Sequence, residues 1–581
     1  MINSSEYSFW IAINEPDEIE LHEQREIVKK LSHQPLFSLI CPIYHSSVPD
    51  LKAMIDSVVV QTYTNWELVI TIPDSIDLET AKILSQFTSY DQRIKAAYLD
   101  KNLEDAARIN NTIKLIKGEL VGFILPDDQL APFALFEIVS ASIVDPEIDF
   151  FYSDEDTISE DGALRTEPFF KPDFNLEYLR GFNYISISFV LKRALGDQVS
   201  WLRDGYDDSL FYDLVLRLTE TCKKIYHIPM VLYHQRSISY SAENNLNERN
   251  DKSNSELKAL YQHFQRLDIE AEILPGKTPT THSVHYAYQG EPLISILIPS
   301  RDHWSDLKRC IDSINQKSLY PHYEVILLEN GSREPETFQY YELLKSRGQA
   351  TVLEWKEPFN FSLINNWAAQ KAKGEVLLFL NNDVEVITPN WLERMLGFAL
   401  KTEIGAVGAM LYYPDGTIQH AGLVLGLWGV AGHLYKHLLP ENAGDFNQLS
   451  VSRYCMGVTG ACMMVRKDNF EEVGGFDPDY ELAFGDVDFC MKLKAKGYQN
   501  LWTPEAELVH HESMTRGRED TAEAKARFRR EERYFLEKWK KKLEKGDPFY
   551  NPNLSLTFGD NRLRMVSGAK ILDWFRFIRP D

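Results

Sequence analysis

The feature that most limits what this chain can fold into is a repeat of itself. PLFSLICPIY (35–44) reappears as PLISILIPSR (292–301), and LKAMIDSV (51–58) as LKRCIDSI (307–314). Pro42 and Pro299 lie 257 residues apart, while Asn110 and Asn366, Glu119 and Glu375, and Asp127 and Asp383 all lie 256 apart. Solenoid units repeat every 20 to 50 residues or so, which makes this period that of a whole domain present twice. Further on, Asp213 and Asp488 are 275 apart and His234 and His510 are 276 apart, so the second copy carries a net insertion of roughly 19 residues, expected near 415–450. Two large domains also suit a length of 581 residues, too great for a single core.

Each copy opens with a short β-rich apolar run (FSLICPIY; ISILIPS), then an amphipathic helical pattern, then a second run (WELVITI; YEVILLE). Apolar runs alternating with helices predict parallel βαβ units, and hence an α/β fold with a mostly parallel sheet in each copy. NNWAAQKAKG predicts a helix closed by Gly374, with EVLLFL as the strand after it. The expected organisation is a helical N-terminal extension (1–33), a first domain (34–240), a polar linker with some helix (241–290), a second domain (291–520), and a C-terminal helix and tail (521–581).

Charge and motif content remove several function classes. A net charge of −24 and a pI near 5.1 oppose nucleic-acid binding, which draws its affinity from clustered Lys and Arg. SLICPIYHSS and SILIPSRDHW hold no glycine, so the dinucleotide fingerprint expected after a first strand is missing, and no G-x-x-x-x-G-K-[ST] is present. The six cysteines form no C-x-x-C pair and read as buried thiols of a reducing compartment rather than a zinc site. The acidic N-terminus lacks a basic n-region and an apolar h-region, and the longest apolar run, AGLVLGLWGVAG (421–432), is too short to span a bilayer. A cytoplasmic protein is expected.

In VLLFLNNDVEV (376–386) an apolar run stops at Asp383 and Glu385. Ligands of open α/β sheets bind beyond the carboxyl ends of the strands. Two acids on alternate positions there can face one hard cation such as Mg²⁺ or Mn²⁺, or merely solvate a loop. GGFDPDYELAFGDVDFC (474–490) brings Asp486 and Asp488 to a helix start, where an aspartate either caps or reacts. PEAELVHHES (504–513) puts His510 and His511 at a strand end, as a third metal ligand or as plain structure.

The second copy resembles the family 2 glycosyltransferases of the glycosyltransferase-A fold. The resemblance rests on a first strand ending at Pro299 with Asp302 after it, LLENGS (327–332), FNFSLINNWAAQKAKGE (359–375), LNNDVEV, TGACMMVRK (459–467), GGFDPDY, GDVDFC and HHES, and it extends over roughly 34–240 and 291–520. The chain is most similar to two-domain bacterial enzymes of surface-polysaccharide and O-antigen assembly, which DPFYNPNLS (547–555) also resembles. The resemblance implies a metal-dependent, inverting transfer of a sugar from a nucleoside diphosphate sugar to a glycan or lipid-linked glycan. Pro299, Asp302, Glu329, Asn366, Asn382 and Asp383 would line the donor pocket, with Asp302 and Glu329 accepting hydrogen bonds from the base or ribose. Asp383, Glu385 and His510 would hold Mn²⁺ or Mg²⁺, Asp486 would be the general base, and Arg516 and Arg518 would cover the diphosphate. Gly485 stands where the family often has Glu or Asn.

Aligned through the repeat, Glu329 matches Ile72, Glu385 matches Gln129, and Asp486 matches Phe211. Asn110, Asp127, Asp213 and His234 persist, with Asp74, Asp128, Asp207 and Asp208 nearby in sequence. The first copy therefore reads as a degenerate transferase domain, with Asp127 and Asn110 as its remaining nucleotide-sugar contacts. The alternatives are a bifunctional enzyme with two active copies, a nucleotidyltransferase, or a non-catalytic glycan- or nucleotide-sugar-binding scaffold. TAEAKARFRREERYFLEKWKKKLEKG (521–546) predicts a long amphipathic helix laid on the second domain. The tail AKILDWFRFIRP (569–580) suits either an anionic membrane surface, which would make the protein peripheral on the inner face of the cell membrane, or docking on the protein itself.

Overall fold

The computed structural model describes residues 2–43, 47–73, 76–100, 103–206, 209–236, 245–512 and 521–565. Arg516, Arg518, Asp74, Asp207, Asp208 and the 569–580 tail lie outside them.

Two sheets carry the fold. From one edge, the first runs Ile94–Leu99, Trp66–Pro73, Phe37–Pro42, Leu120–Phe123, Phe189–Lys192, Phe150–Ile158, Ile225–Arg236 and Gln129–Leu130. The second repeats that order: Thr351–Glu354, Tyr323–Glu329, Ile294–Ser300, Val376–Leu380, Cys462–Arg466, Ile404–Tyr412, Gln499–His510 and Val384–Val386. The expected tandem α/β architecture is thus what the chain adopts. Val376–Leu380 is buried at every position, as befits a strand covered on both faces.

The sheets are mixed, not mostly parallel. The first four strands of each are parallel, but Phe189–Lys192 and Cys462–Arg466 run antiparallel to both neighbours. Each follows a long excursion that leaves from the carboxyl end of the preceding sheet strand, and a chain returning from that end comes back in the opposite direction.

The repeat extends to single hydrogen bonds. Ser38 Oγ donates to Glu67 (2.6 Å) and accepts the Gly118 N–H (2.8 Å); Ser295 Oγ donates to Glu324 (2.7 Å) and accepts the Gly374 N–H (2.8 Å). Both glycines are required by close approach. A Cβ on Gly374 would sit 2.5 Å from the Leu293 carbonyl oxygen, and one on Gly118 2.7 Å from that of Leu36.

Register corrects one expected equivalence. Asp156 pairs with His234 where Tyr412 pairs with Val509, offsets of 256 and 275. His234 therefore corresponds to Val509, and Gln235 to His510. Matching the two histidines by residue type slipped the alignment by one place, which in a strand moves a side chain to the other face. The extra residues of the second copy fall between Tyr412 and Cys462.

Helices Ser4–Asn14 and Glu18–Val28 precede the first sheet, the second opened by a capping box of Asp17 and Glu20. Between the copies lie helix Asn245–Arg266 and a hairpin, Ala271–Pro275 with His282–Tyr286, that the polar sequence did not announce. Helix Ala522–Lys538 rests on the second copy, where Glu531 accepts the N–H groups of Ala483 (2.6 Å) and Glu481 (3.2 Å). Among the described residues no helix is long and apolar enough to cross a membrane.

The copies are joined by buried contacts. Asn175 exchanges two hydrogen bonds with the Tyr454 backbone (both 3.1 Å), and the Lys401 ammonium meets the buried Glu177 carboxylate at 2.6 Å. Burial opposes ionisation of Glu177, but Lys401 and Arg180 outweigh it and bring the carboxyl down to about 2. The C-terminal segment bridges both copies. Asp547 accepts the Leu425 N–H (2.8 Å), while Asn551 donates to Asp154 (2.9 Å) and to the Lys171 carbonyl (2.9 Å).

Candidate active site in the second copy

At the carboxyl ends of Ile294–Ser300 and Tyr323–Glu329, two acids staple one loop. Glu329 accepts from the Ser332 N–H (2.5 Å) and hydroxyl (2.6 Å), and Asp302 accepts the N–H groups of Arg333 (2.5 Å) and Glu334 (2.9 Å). Desolvation pushes the Asp302 carboxyl up, but those two N–H groups together with nearby cationic side chains hold it below the usual range. Asp302 has a left-handed backbone (φ 52°), an uncommon conformation for a non-glycine residue, at the strand end that Pro299 approaches.

Asn366 is engaged elsewhere. Its Nδ2 donates to the Phe476 carbonyl and its Oδ1 accepts the Phe476 N–H, both at 2.8 Å. Asn110 makes the same clamp on Leu202 (2.8 and 3.2 Å). Asn366 thereby ties its helix to the GGFD turn, with one amide N–H and one oxygen lone pair engaged there.

Asn382 and Asp383 form the buried turn before Val384–Val386. The His510 Nδ1 lies 2.6 Å from Gln419 Oε1, which can only accept, so this ring nitrogen carries the proton. Nε2 is then left with a lone pair. It takes the Asn381 side-chain N–H at 3.2 Å and faces Asp383 Oδ1 at 3.2 Å. An imidazole lone pair opposite a carboxylate oxygen calls for a cation, either a proton or a metal ion. Carboxylate oxygen with imidazole nitrogen is a donor set that suits Mn²⁺, and Gln419 is the outer partner that fixes a ligating ring.

Glu385 stands apart from that pair. Its carboxylate lies 3.4 Å from His511 Nε2 and 3.6 Å from Lys317 Nζ. Adjacent residues of a strand face opposite ways, so His510 reaches Asp383 and His511 reaches Glu385. Among the described residues, no three His, Cys, Asp or Glu side chains gather as a metal site. The expected trio of Asp383, Glu385 and His510 is thus divided in this structure.

Asp486 opens helix Gly485–Ala495 and is half-buried. It accepts the N–H groups of Gly460 and Val487, both at 2.9 Å. Desolvation outweighs these bonds and raises its carboxyl above the ordinary value, which suits a base. Asp488 is structural: fully buried, it accepts from Trp539 Nε1 (2.8 Å) and pairs with Lys538 (2.7 Å). A short path links base and cation pair, since Ala461, next to Gly460, accepts the backbone N–H of Asn381 (3.0 Å).

Gln419, His420 and His433, all between Tyr412 and Cys462, were missed by sequence reasoning; Gln419 and His420 lie on strand Ile418–His420, which pairs as Arg165–Phe169 does in the first copy and puts His420 at the place of Phe169. The available signal was their place in the one long segment that differs in length between the copies.

The profile described as "Glycosyl transferase family 2" matches residues 38–197 and 295–474, one stretch in each copy, and that of "Glycosyl transferase family group 2" matches residues 415–543. This chain belongs to glycosyl transferase family 2. The family 2 chain is 38% identical over 540 residues to the uncharacterized protein y4gI of Sinorhizobium fredii, covering 92% of this chain and 59% of that one. It is 36% identical over 565 residues to the O-antigen biosynthesis protein RfbC of Myxococcus xanthus, covering 96% and 43%. The chain thus spans about half the length of these relatives. Among solved structures, it is similar to GalNAc-T7 with UDP, GalNAc and Mn²⁺ (TM-score 0.36, 17% identity, 46% of this chain and 51% of that one).

Proposed function

We propose that the second copy is a metal-dependent inverting glycosyltransferase that moves a sugar from a nucleoside diphosphate sugar to a glycan or lipid-linked glycan in bacterial surface-polysaccharide synthesis. The observation that carries this reading is the pairing of Asp383 with His510 a short hydrogen-bonded path from the raised carboxyl of Asp486. Asp383 and His510 would hold Mn²⁺ or Mg²⁺, with Glu385 and His511 beside them, and such an ion when bound neutralises the leaving diphosphate. Asp302 and Glu329 fix the loop at the ends of the first two strands, where the nucleoside would lie. Asp486 would take the proton of the acceptor hydroxyl as it attacks the anomeric carbon from the face opposite the diphosphate, giving inversion. The RfbC relative's name supports the polysaccharide context. Arg516 remains a candidate diphosphate contact, and the membrane-facing role of the tail a candidate route to a lipid-linked acceptor.

The test is a screen of UDP-, GDP- and dTDP-sugars by thermal shift with Mn²⁺, followed by turnover of any that bind. A ligand specific to the native state raises the melting temperature. Stabilisation that persists undiminished in chelator would count against the Asp383–His510 metal site.

A further inference from the structure

The stretch between Tyr412 and Cys462, longer than its counterpart in the first copy, carries two histidines in contact. His420 is fully buried, and its Nδ1 lies 3.0 Å from Nδ1 of His433 at the end of strand Ala431–His433. The corresponding segment of the first copy, 157–187, has no histidine. Two ring nitrogens at that distance need one donor and one acceptor, so the pair cannot be doubly protonated there.

The direction of the bond is set by a third group. The Thr459 N–H points at His420 Nε2 (3.4 Å), which must accept. A neutral His420 then carries its proton on Nδ1 and donates to His433 Nδ1, leaving His433 with an N–H at Nε2. No hydrogen bond of that Nε2 to a described residue is present, and the ring is only half-buried. Burial, with Lys436 and His510 nearby, pushes His433 down to about 4; burial, with His433, Arg453 and His510 nearby, holds His420 well below the usual imidazole range.

The location gives this donor its meaning. Gln419 orients His510 at the cation end, and its neighbour His420 binds Thr459, adjacent to the Gly460 N–H that holds Asp486 at the base end. Between a metal-bound diphosphate and a base lies the sugar being transferred. A fixed neutral N–H suits a hydroxyl there, whereas a phosphate would be served better by Lys or Arg.

We propose that His433, oriented by His420, is a further substrate contact whose Nε2–H donates to a hydroxyl of the transferred sugar. This rests on the transferase reading of the second copy, with His433 as the contact and His420 as a positioning residue.

The test measures, by calorimetry with Mn²⁺, the affinities of the full chain and of His433→Phe and His433→Gln for UDP-, GDP- and dTDP-sugars and for the matching nucleoside diphosphates. His433→Phe is expected to weaken sugar-nucleotide binding about tenfold, the scale of one lost hydrogen bond, while nucleoside diphosphate affinity stays within about twofold. His433→Gln, which keeps an N–H, should recover most of the loss. Equal losses for both ligands, or none for the sugar nucleotide, would overturn the contact. Nitrogen-15 NMR of the histidine-labelled wild-type chain gives a check that needs no variant: His420 should be the neutral Nδ1–H tautomer and His433 the neutral Nε2–H tautomer at pH 7, and the reverse pattern would also overturn it. Full turnover in Asp486→Asn would sink the base assignment while leaving the His433 contact standing; no binding of any sugar nucleotide by the wild type would sink both.

Discussion

The two copies share a sheet order and even single hydrogen bonds, yet they treat the same sites in opposite ways. Where the second copy has Asp486, the first has Phe211, packed against Phe123 with ring centres 5.0 Å apart. A phenyl ring in an aromatic cluster moves no proton. At the end of the strand equivalent to that of His510, the first copy has Gln235 in the place of His510 and Arg236 in that of His511; the Arg236 guanidinium lies against the Asp127 carbonyl (3.1 Å) and the Asp50 carboxylate (3.2 Å), with its own backbone N–H on Asp128 (2.8 Å). A permanent side-chain cation thus stands where the second copy has His511. His234 is likewise committed, at 2.6 Å from Asp156, which also takes the Tyr7 hydroxyl (2.7 Å) and Arg165 (2.6 Å). The comparison teaches that a duplicated domain can keep its scaffold while equivalent positions take different side chains, Phe211 for Asp486 and Arg236 for His511. The segment holding Asp547 and Asn551 hydrogen-bonds both to Leu425 of the second copy and to Asp154 of the first.

This contrast can be broken most decisively at the base. Asp486→Asn should lower kcat by about 10²–10⁴ while leaving sugar-nucleotide affinity nearly unchanged, because the base acts on the acceptor. Lost donor binding would contradict that assignment. Next in size, Asp383→Ala should reduce turnover by about 100-fold or more and abolish stimulation by Mn²⁺. Asp127→Ala in the first copy should change turnover by less than about twofold; disappearance of one product linkage would instead support two active copies.

A pH profile sharpens the same point. Asp486 must be ionised to act and its carboxyl is raised, so kcat/KM should fall with decreasing pH along a limb centred above the ordinary aspartate value of 3.8. Measured to pH 4.5, that limb should vanish from the residual activity of Asp486→Asn. The smallest effect is expected from Arg236→Ala. This side chain is 7% exposed, and leaving its acceptors unpaired should cost about 1–3 kcal/mol of stability in a urea melt, with donor affinity of the second copy unaltered.

Much of this was legible in the chain. The 256-residue offset announced two copies, and apolar runs alternating with helical patterns announced their α/β sheets, because burial on two faces and helical crossovers leave those traces. Acids at strand ends and a helix start likewise marked Asp302, Glu329, Asp383 and Asp486 as residues to watch. Sidedness was not legible. HHES does not say which histidine reaches which acid; only the pairing of Val384 with His510 sends one ring to Asp383 and the next to Glu385. Nor does sequence reveal that Asn366 clamps the Phe476 backbone.

The sequence by itself determined the duplication, the layers and the residue types available for chemistry, since periodicity and repetition are local properties of a chain. Tertiary structure decided which of those residues meet, because a strand side chain's partner depends on register and on which face it occupies, and one place of slip exchanges both. It also decided what stands at each place: Arg236 where the other copy has His511, and in the second copy Gln419 and His420, which reach the cation end and the base end of one site.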